Sequence, residues 1–338
     1  MPLVSVIMPV YNGESYLKDA INSILNQSFQ DLELLIIDDC SSDRSVDIIN
    51  SYDDPRVKHL GNKENMGQSK SRNLAISKAR GRYIALMDAD DISLHNRIES
   101  QVKYLEKNKD ISILGTNIKF IGSREIENKH VYERHEEIAC KFLFGSPLVH
   151  PSVMIRKSDI DRHNLKYDEQ FLYAQDYNLW VSAWEKGLKF SCTNEILLHY
   201  RVHDKQVSIK NFSKQSYYAN EIRKKIFSKL RLNLTEEEMK LFNLICLNGL
   251  TEYSVDDLIL FEKILLNIIN SNKKVSVLNQ DILELICVDY FKSACNKSLR
   301  QLNRSGRYFW RSEIKDLYKN NHFVKFKMLL ASLVAYKN

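Results

Sequence analysis

Asp88, Asp90 and Asp91 stand within four positions of one another, directly after the strand signal of residues 82–87. Carboxylates gathered this closely repel one another and need a compensating cation. On a turn just past a strand, Asp88 and Asp90 can converge through oxygen atoms on one hard divalent ion. Mg²⁺ or Mn²⁺ held in this way takes its remaining ligands from water and substrate phosphates. The same cluster admits a plainer role at a helix start, where Asp91 or Ser93 would cap the next helix. A second acidic pair, Asp38 and Asp39, closes the apolar run 32–37. His199 and His203 are four apart, and a neutral imidazole is a competent Mn²⁺ ligand; a packed structural histidine remains open for both. Asp176 stands just before a helical apolar stripe, where the helix dipole favours a carboxylate.

The elements that must position these groups alternate. Residues 4–10 form a short apolar run, closed by Asn12-Gly13, and read as a buried strand. Leu17, Ala20, Ile21, Ile24 and Leu25 then recur at helical spacing. Strand 32–37 follows, with Ser42 as the expected N-cap of a helix carrying Val46 and Ile49. After strand 57–60, a helix over 68–78 is expected to stop at Gly81 as its C′ glycine, before strand 82–87. Such alternation predicts βαβ units around a mostly parallel sheet, and ligands bind beyond the carboxyl ends of such strands. Both acidic clusters should therefore share one site. Residues 115–205 read as mixed, with a strand at 152–155 and a helix striped by Tyr177, Trp180, Val181 and Trp184. Beyond about residue 215 only helical periodicity remains, at 258, 261, 265 and 268 and at 323, 326, 330 and 333, with residues 271–274 expected to link two helices.

The chain has 338 residues, which suggests about two domains. With 44% hydrophobic and 27% charged residues, it is neither disordered nor low-complexity. No apolar run is long enough to span a bilayer, and the first residues lack the basic region of a secretory signal. Six cysteines, at 40, 140, 192, 246, 287 and 295, form no CxxC pair, which predicts a reduced, cytoplasmic chain. The net charge of +6 is uneven. Residues 300–338 hold nine Lys/Arg against Glu313 and Asp316, so the rest is close to neutral. That aromatic-bearing basic tail could meet an anionic membrane surface on the inner face of the cell membrane, or be a solvated or packed helix face. RNA is the weakest option, because the main body is near neutral, and no nucleic acid partner is expected.

The motif series resembles the family 2 glycosyltransferases of GT-A fold. It begins with Val4-Ser5-Val6-Ile7-Met8-Pro9-Val10-Tyr11-Asn12, with Glu14 and Leu17, and continues through Ile36-Ile37-Asp38-Asp39-Cys40-Ser41-Ser42-Asp43. Asn65-Met66-Gly67 with Arg72-Asn73, and then Asp88-Ala89-Asp90-Asp91, extend it. His150-Pro151-Ser152-Val153-Met154, Gln175-Asp176-Tyr177-Asn178-Leu179-Trp180 and Tyr200-Arg201-Val202-His203 look like the family's acceptor-side motifs. The likeness covers residues 3 to about 208.

The resemblance implies an α/β GT-A domain with a Rossmann-like, mostly parallel central sheet over residues 1–215. Residues 1–110 would bind the nucleotide sugar and 111–215 would form the acceptor side, followed by a smaller all-helical domain over 216–338. It implies an inverting, metal-dependent transfer of a hexose from a UDP-sugar to a saccharide acceptor, lipid-linked as in bacterial O-antigen and capsule assembly. Pro9, Val10, Tyr11, Asn12 and Glu14 would line the nucleotide, with Tyr11 able to stack on the base and Asp39 accepting from its imide. Asn65, Gly67 and Arg72 would come next, Arg72 facing the diphosphate. Asp88 would reach the ribose or a metal-bound water, beside Ala89, and Asp90 would bind Mn²⁺ or Mg²⁺. His203, within the Tyr-Arg-x-His pattern, is the better candidate for a third ligand beside Asp88 and Asp90. Asp176 would be the general base, with His150 and Gln175 on the acceptor side; Gln175 stands where the family often has Glu. A rival reading is a non-catalytic nucleotide-sugar-binding scaffold, whose helical domain docks a partner.

Overall fold

Strands covered on both faces read as near-continuous apolar runs. Apart from buried Ser5 and Glu33, which bond each other, the first strands of the chain follow that rule in a computed structural model. It describes residues 1–123, 125–128, 133–203, 212–246, 253–302, 309, 312–315 and 317. β1 (Val4–Val10), β2 (Leu32–Asp38) and β4 (Tyr83–Leu86) are almost wholly buried, while β3 (Val57–Gly61), at the sheet edge, is largely exposed. β1 pairs in parallel with β2 and β4, and β2 in parallel with β3. The shared register sets Val10 level with Asp38, so the carboxyl ends of these strands lie side by side.

The other half of the sheet is mixed. β5 (Ile92–Ser93), β6 (Ile113–Gly122), β7 (Ile126–Asn128), β8 (Met154–Arg156) and β9 (Phe190–Val202) complete the order β3-β2-β1-β4-β8-β6-β9-β5, with β7 on β6. β8 is antiparallel to β4 and β6, whereas β9 runs parallel to β6. Antiparallel pairing of Ile92 with His199 returns the end of β9 to the segment after β4. That pairing matters most for the site, because it joins residues more than 100 positions apart.

Helices α1 (Leu17–Leu25), α2 (Ser45–Asn50), α3 (Gln68–Lys78), α4 (Arg97–Lys107), α5 (His135–Lys141), α6 (Lys157–His163) and α7 (Gln175–Glu185) accompany the sheet. α1 buries Leu17, Ala20, Ile21 and Ile24 in one core with Val4, Val6, Leu34 and Ile36. Two local expectations are corrected here. Ser42 does not cap α2, which starts at Ser45; Asp43 Oδ1 accepts from Ser45 N–H at 2.9 Å, and Ser42 N–H goes instead to Asn12 Oδ1 at 2.8 Å. Gly81 is not a C′ glycine, since α3 ends at Lys78 and passes into extended Ala79. Its role is close approach: a Cβ there would meet Ser5 N at 2.5 Å, leaving no room for any side chain. The 152–155 strand is shifted by one or two residues, after a 3₁₀ turn at His150–Ser152.

The chain divides into two compact units, residues 1–138 with 146–219 and residues 139–145 with 220–338. The second unit is helical, built from the end of α8 (Phe212–Lys229), α9 (Glu236–Cys246), α10 (Val255–Val275) and α11 (Gln280–Leu302). Fully buried Arg223 donates to the carbonyls of Leu143 and Phe144 and to Asn243 Oδ1, so its guanidinium knots residues 139–145 to these helices. Residues 271–274 are not a linker but the last turn of α10. Lys273 and Lys274 suit the negative end of a helix dipole, and buried Asn272 takes Leu278 N–H at 2.8 Å, so the break comes at left-handed Ser276. Among the described residues no helix is long and apolar enough to cross a membrane. Phe323, Phe326, Leu330, Leu333, Lys325 and Lys327 lie outside the described residues, as does most of the basic tail.

Candidate active site

The loop after β1 is fastened to the loop after β2 by a ladder of short bonds. Asn12 N–H donates to Ser41 Oγ at 2.9 Å, Gly13 N–H to Ser45 Oγ at 2.9 Å and Glu14 N–H to Asp43 Oδ2 at 3.0 Å. Arg44 N–H returns a bond to Glu14 Oε2 at 3.1 Å. Asn12 adopts a positive φ of 51°, a conformation asparagine tolerates better than most residues. Asn12 and Glu14 thus hold backbone together, while Pro9 and Val10 close the strand and Tyr11 is left 56% exposed at its end.

Asp39 is buried and already engaged. Its Oδ1 accepts from Asn62 Nδ2 and Met66 N–H, both at 2.8 Å, and its Oδ2 from Gly67 N–H at 2.9 Å. A carboxylate has about four acceptor positions, so one remains. Asp39 therefore first shapes the 62–67 loop, which Gly67 leaves with φ +83° to start α3; Asn65 is exposed on that loop.

Arg72, on α3, is the hub of the next layer. Its Nη2 lies 3.1 Å from Asp88 Oδ1, and its Nη1 donates at 3.2 Å to both Gln68 Oε1 and Gln175 Oε1. One guanidinium thereby joins the segment after β4 to the start of α7. Burial, together with the charge of Asp90, raises the Asp88 pKa above the ordinary carboxylate range, against the pull of Arg72. His150 Nδ1 stands 3.8 Å from the same Asp88 oxygen, and His150 Nε2 is 2.7 Å from Tyr167 OH. Burial first, and then Arg72, hold the His150 pKa well below its usual value, so the ring is neutral near pH 7. Asn73 clasps Tyr167 from both sides, Nδ2 to its carbonyl and Oδ1 from its N–H, each at 2.9 Å.

The rest of the acidic cluster splits by direction. Asp91 turns inward and is buried; Oδ1 takes Arg201 N–H at 2.8 Å, and Oδ2 has no hydrogen-bond partner among the described residues. Burial, reinforced by Asp90 and Asp88, pushes its pKa well above the carboxylate range. Neither Asp91 nor Ser93 caps α4, whose N-cap is Asn96, so the capping alternative does not hold. Asp90 faces the end of β9, where His203 Nε2 lies 2.9 Å from its Oδ2. Arg201 Nε donates to the Asp90 carbonyl at 2.8 Å, and the Tyr16 ring packs 5.1 Å from His203 and 4.4 Å from the Arg201 guanidinium carbon. Ala89 lies between the two outward carboxylates and is partly exposed. His199 sits four residues earlier, opposite Ile92.

Among the described residues no three His, Cys, Asp or Glu side chains are gathered as a ready cation cage. Of the three expected ligands, Asp90 and His203 offer one carboxylate and one imidazole side by side, while Asp88 Oδ1 is turned to Arg72. Neighbouring ligands around an ion with bonds of about 2.1 Å lie about 3 Å apart, close to the Asp90–His203 separation, so this pair fits Mn²⁺ or Mg²⁺ that takes its other ligands from phosphates and water.

Asp176 is the second residue of α7, after left-handed Ala174 (φ 53°). Ser146 Oγ approaches its Oδ2 at 3.5 Å. Burial raises its pKa, while its own N–H, that of Tyr177 and Arg72 pull the other way. Its charge in turn helps to raise the Asp88 pKa, so the two acidic groups belong to one electrostatic neighbourhood. The sequence reading missed Tyr16, Asn62, Ser146 and Tyr167 as members of this assembly. Spacing carries no signal for them, because each is placed by a long-range contact.

The glycosyl transferase family 2 model matches residues 5–163. An uncharacterised glycosyltransferase of Methanocaldococcus jannaschii is 38% identical over 225 residues, covering 64% of this chain and 77% of the relative. The Escherichia coli UDP-Glc:alpha-D-GlcNAc-diphosphoundecaprenol beta-1,3-glucosyltransferase WfaP is 30% identical over 213 residues, 63% of this chain and 82% of the relative. In three dimensions, TarS of S. aureus in complex with UDP-GlcNAc superposes with a TM-score of 0.58 at 18% identity, covering 92% of each chain, a likeness of fold. The family match spans the strands that carry Asp39, Asp88 and Asp90, and the archaeal relative is similar over most of its length; this chain therefore belongs to glycosyl transferase family 2, and is an enzyme with the GT-A fold.

Proposed function

We propose that the chain transfers a hexose, with inversion, from a UDP-sugar to a hydroxyl of a lipid-linked saccharide in surface-polysaccharide assembly. One observation carries this reading: Arg72 contacts both Asp88 and Gln175, which brings the donor-side carboxylates and the base candidate Asp176 into one site. Tyr11 offers an exposed ring for the base, and the fourth acceptor position of Asp39 can take the uracil imide. Arg72 would face the diphosphate, and Asp88 would reach the ribose or a metal-bound water. Asp90 and His203 would hold Mn²⁺ or Mg²⁺, which supplies charge neutralisation to the leaving nucleoside diphosphate.

Asp176 then takes the proton of the acceptor hydroxyl. The freed oxygen forms its bond to the anomeric carbon as the bond from that carbon to the phosphate oxygen breaks, and the electron pair leaves with the diphosphate. The raised pKa of Asp176 improves it as a base, because proton affinity rises with pKa as long as the group stays ionised at working pH. Relatives support the donor and acceptor classes: WfaP is named for UDP-Glc and a lipid diphosphate, and TarS was captured with UDP-GlcNAc. The lipid of such an acceptor would lie in the inner leaflet, with catalysis on the cytoplasmic side and the basic segment 300–338 near anionic headgroups.

A panel of nucleotide sugars offered with synthetic lipid-diphosphate saccharides tests the donor assignment. UDP-hexoses should be consumed and GDP-sugars left intact. Preferential consumption of GDP-sugars would remove the uracil reading of Asp39.

A further inference from the structure

Large apolar side chains at a surface usually find cover, yet two of the most exposed among the described residues adjoin the aromatic cluster that leads into the helix of the base candidate. Leu172 is 64% exposed and Tyr217 is 62% exposed. Both adjoin one aromatic cluster of the first unit: Leu172 lies between Phe171 and Tyr173 in the chain, and Tyr217 lies against Tyr218. The Tyr218 ring packs 5.5 Å from Phe171 and 6.0 Å from Tyr173, and Tyr217 meets Tyr218 edge-on at 5.5 Å. Lys214, one turn earlier on α8, places its ammonium 5.6 Å from the centre of the Tyr173 ring.

This surface is wired to the site. The Leu172 carbonyl accepts from Gln175 Nε2 at 3.1 Å, and Gln175 Oε1 accepts from Arg72. Tyr173 precedes Asp176 by three residues, so their Cα atoms are at most about 11 Å apart. A ring stacked here would sit one or two pyranose units from a hydroxyl presented to Asp176. Pyranoses have an apolar C–H face and a hydroxyl rim. Tyrosines offer the matching flat face with a polar tip at small cost in conformational entropy, and a lysine ammonium supplies donors for hydroxyls.

We propose that Leu172 and Tyr217, backed by Tyr218, form a platform for the second sugar of the acceptor, so that the enzyme recognises a saccharide of at least two units. This rests on the transferase reading above and deepens its acceptor side. A lipid tail would need an apolar surface without the three hydroxyl tips and the ammonium, which is why the saccharide is favoured over a membrane contact.

The test uses the full chain, a Leu172→Ala/Tyr217→Ala double variant and Tyr217→Phe, each applied with UDP to printed mono-, di- and trisaccharides and separately to phospholipid vesicles. Wild-type retention should rise roughly tenfold from one sugar to two, the scale of one aromatic contact. The double variant should lose that step, and Tyr217→Phe should keep it. Retention without a step, a step that survives the double substitution, or binding through these side chains to vesicles alone would each overturn the proposal. Asp176→Asn separates the two readings: chain-length-dependent retention with undiminished transfer would sink the base assignment and leave the platform standing.

Discussion

Asp176→Asn should reduce kcat by roughly 10²–10⁴-fold, the usual worth of a general base. The change keeps the size of the side chain and removes its capacity to take a proton. Donor KM should move little, because Asp176 meets the donor side through its field on Asp88 and Arg72. In the wild type, activity should rise with pH as Asp176 ionises. Burial raises the pKa of this group, so that limb lies above the pH expected of an ordinary aspartate and disappears in the variant. Steady-state rates across pH check both parts, and wild-type-like turnover by Asp176→Asn would assign the base elsewhere.

Asp90→Ala should abolish Mn²⁺-dependent UDP binding and, with it, turnover. The substitution deletes one of the two proposed protein donors and removes the Asp90–His203 contact. A site with one imidazole cannot hold a hard cation against water. Titration calorimetry with UDP, with and without Mn²⁺, reads the loss directly; undiminished metal-dependent affinity would place the ion on other residues.

How far such groups could be read from the chain alone depends on the range of the contact that places them. β1, β2 and β4 were legible because burial on both faces leaves near-continuous apolar runs, and Asp38, Asp39 and Asp88 mark their ends. The mixed half was not, because the pairing of β5 with β9 involves a two-residue strand and a partner more than 100 positions away. His203 could be suspected from its motif, but its contact with Asp90 depends on that pairing. Polar composition misled at residues 271–274, where buried Asn272 spends its amide on the next loop instead of ending the helix. Gly81 was read as a helix stop, although its reason is a backbone crossing at Ser5. Asp39 shows a subtler limit. Its place at a strand end singles it out as a candidate but gives no sign that three of its acceptor positions serve the 62–67 loop.

The most direct test of the account is the anomeric configuration of the product. The wild-type chain, Mn²⁺ and an α-linked UDP-hexose are incubated with a synthetic lipid-diphosphate saccharide, and the product is read by proton NMR alongside UDP release. A single displacement with Asp176 as base predicts a β-linked product formed in step with UDP. An α-linked product, or UDP release without any new glycosidic bond, would contradict it.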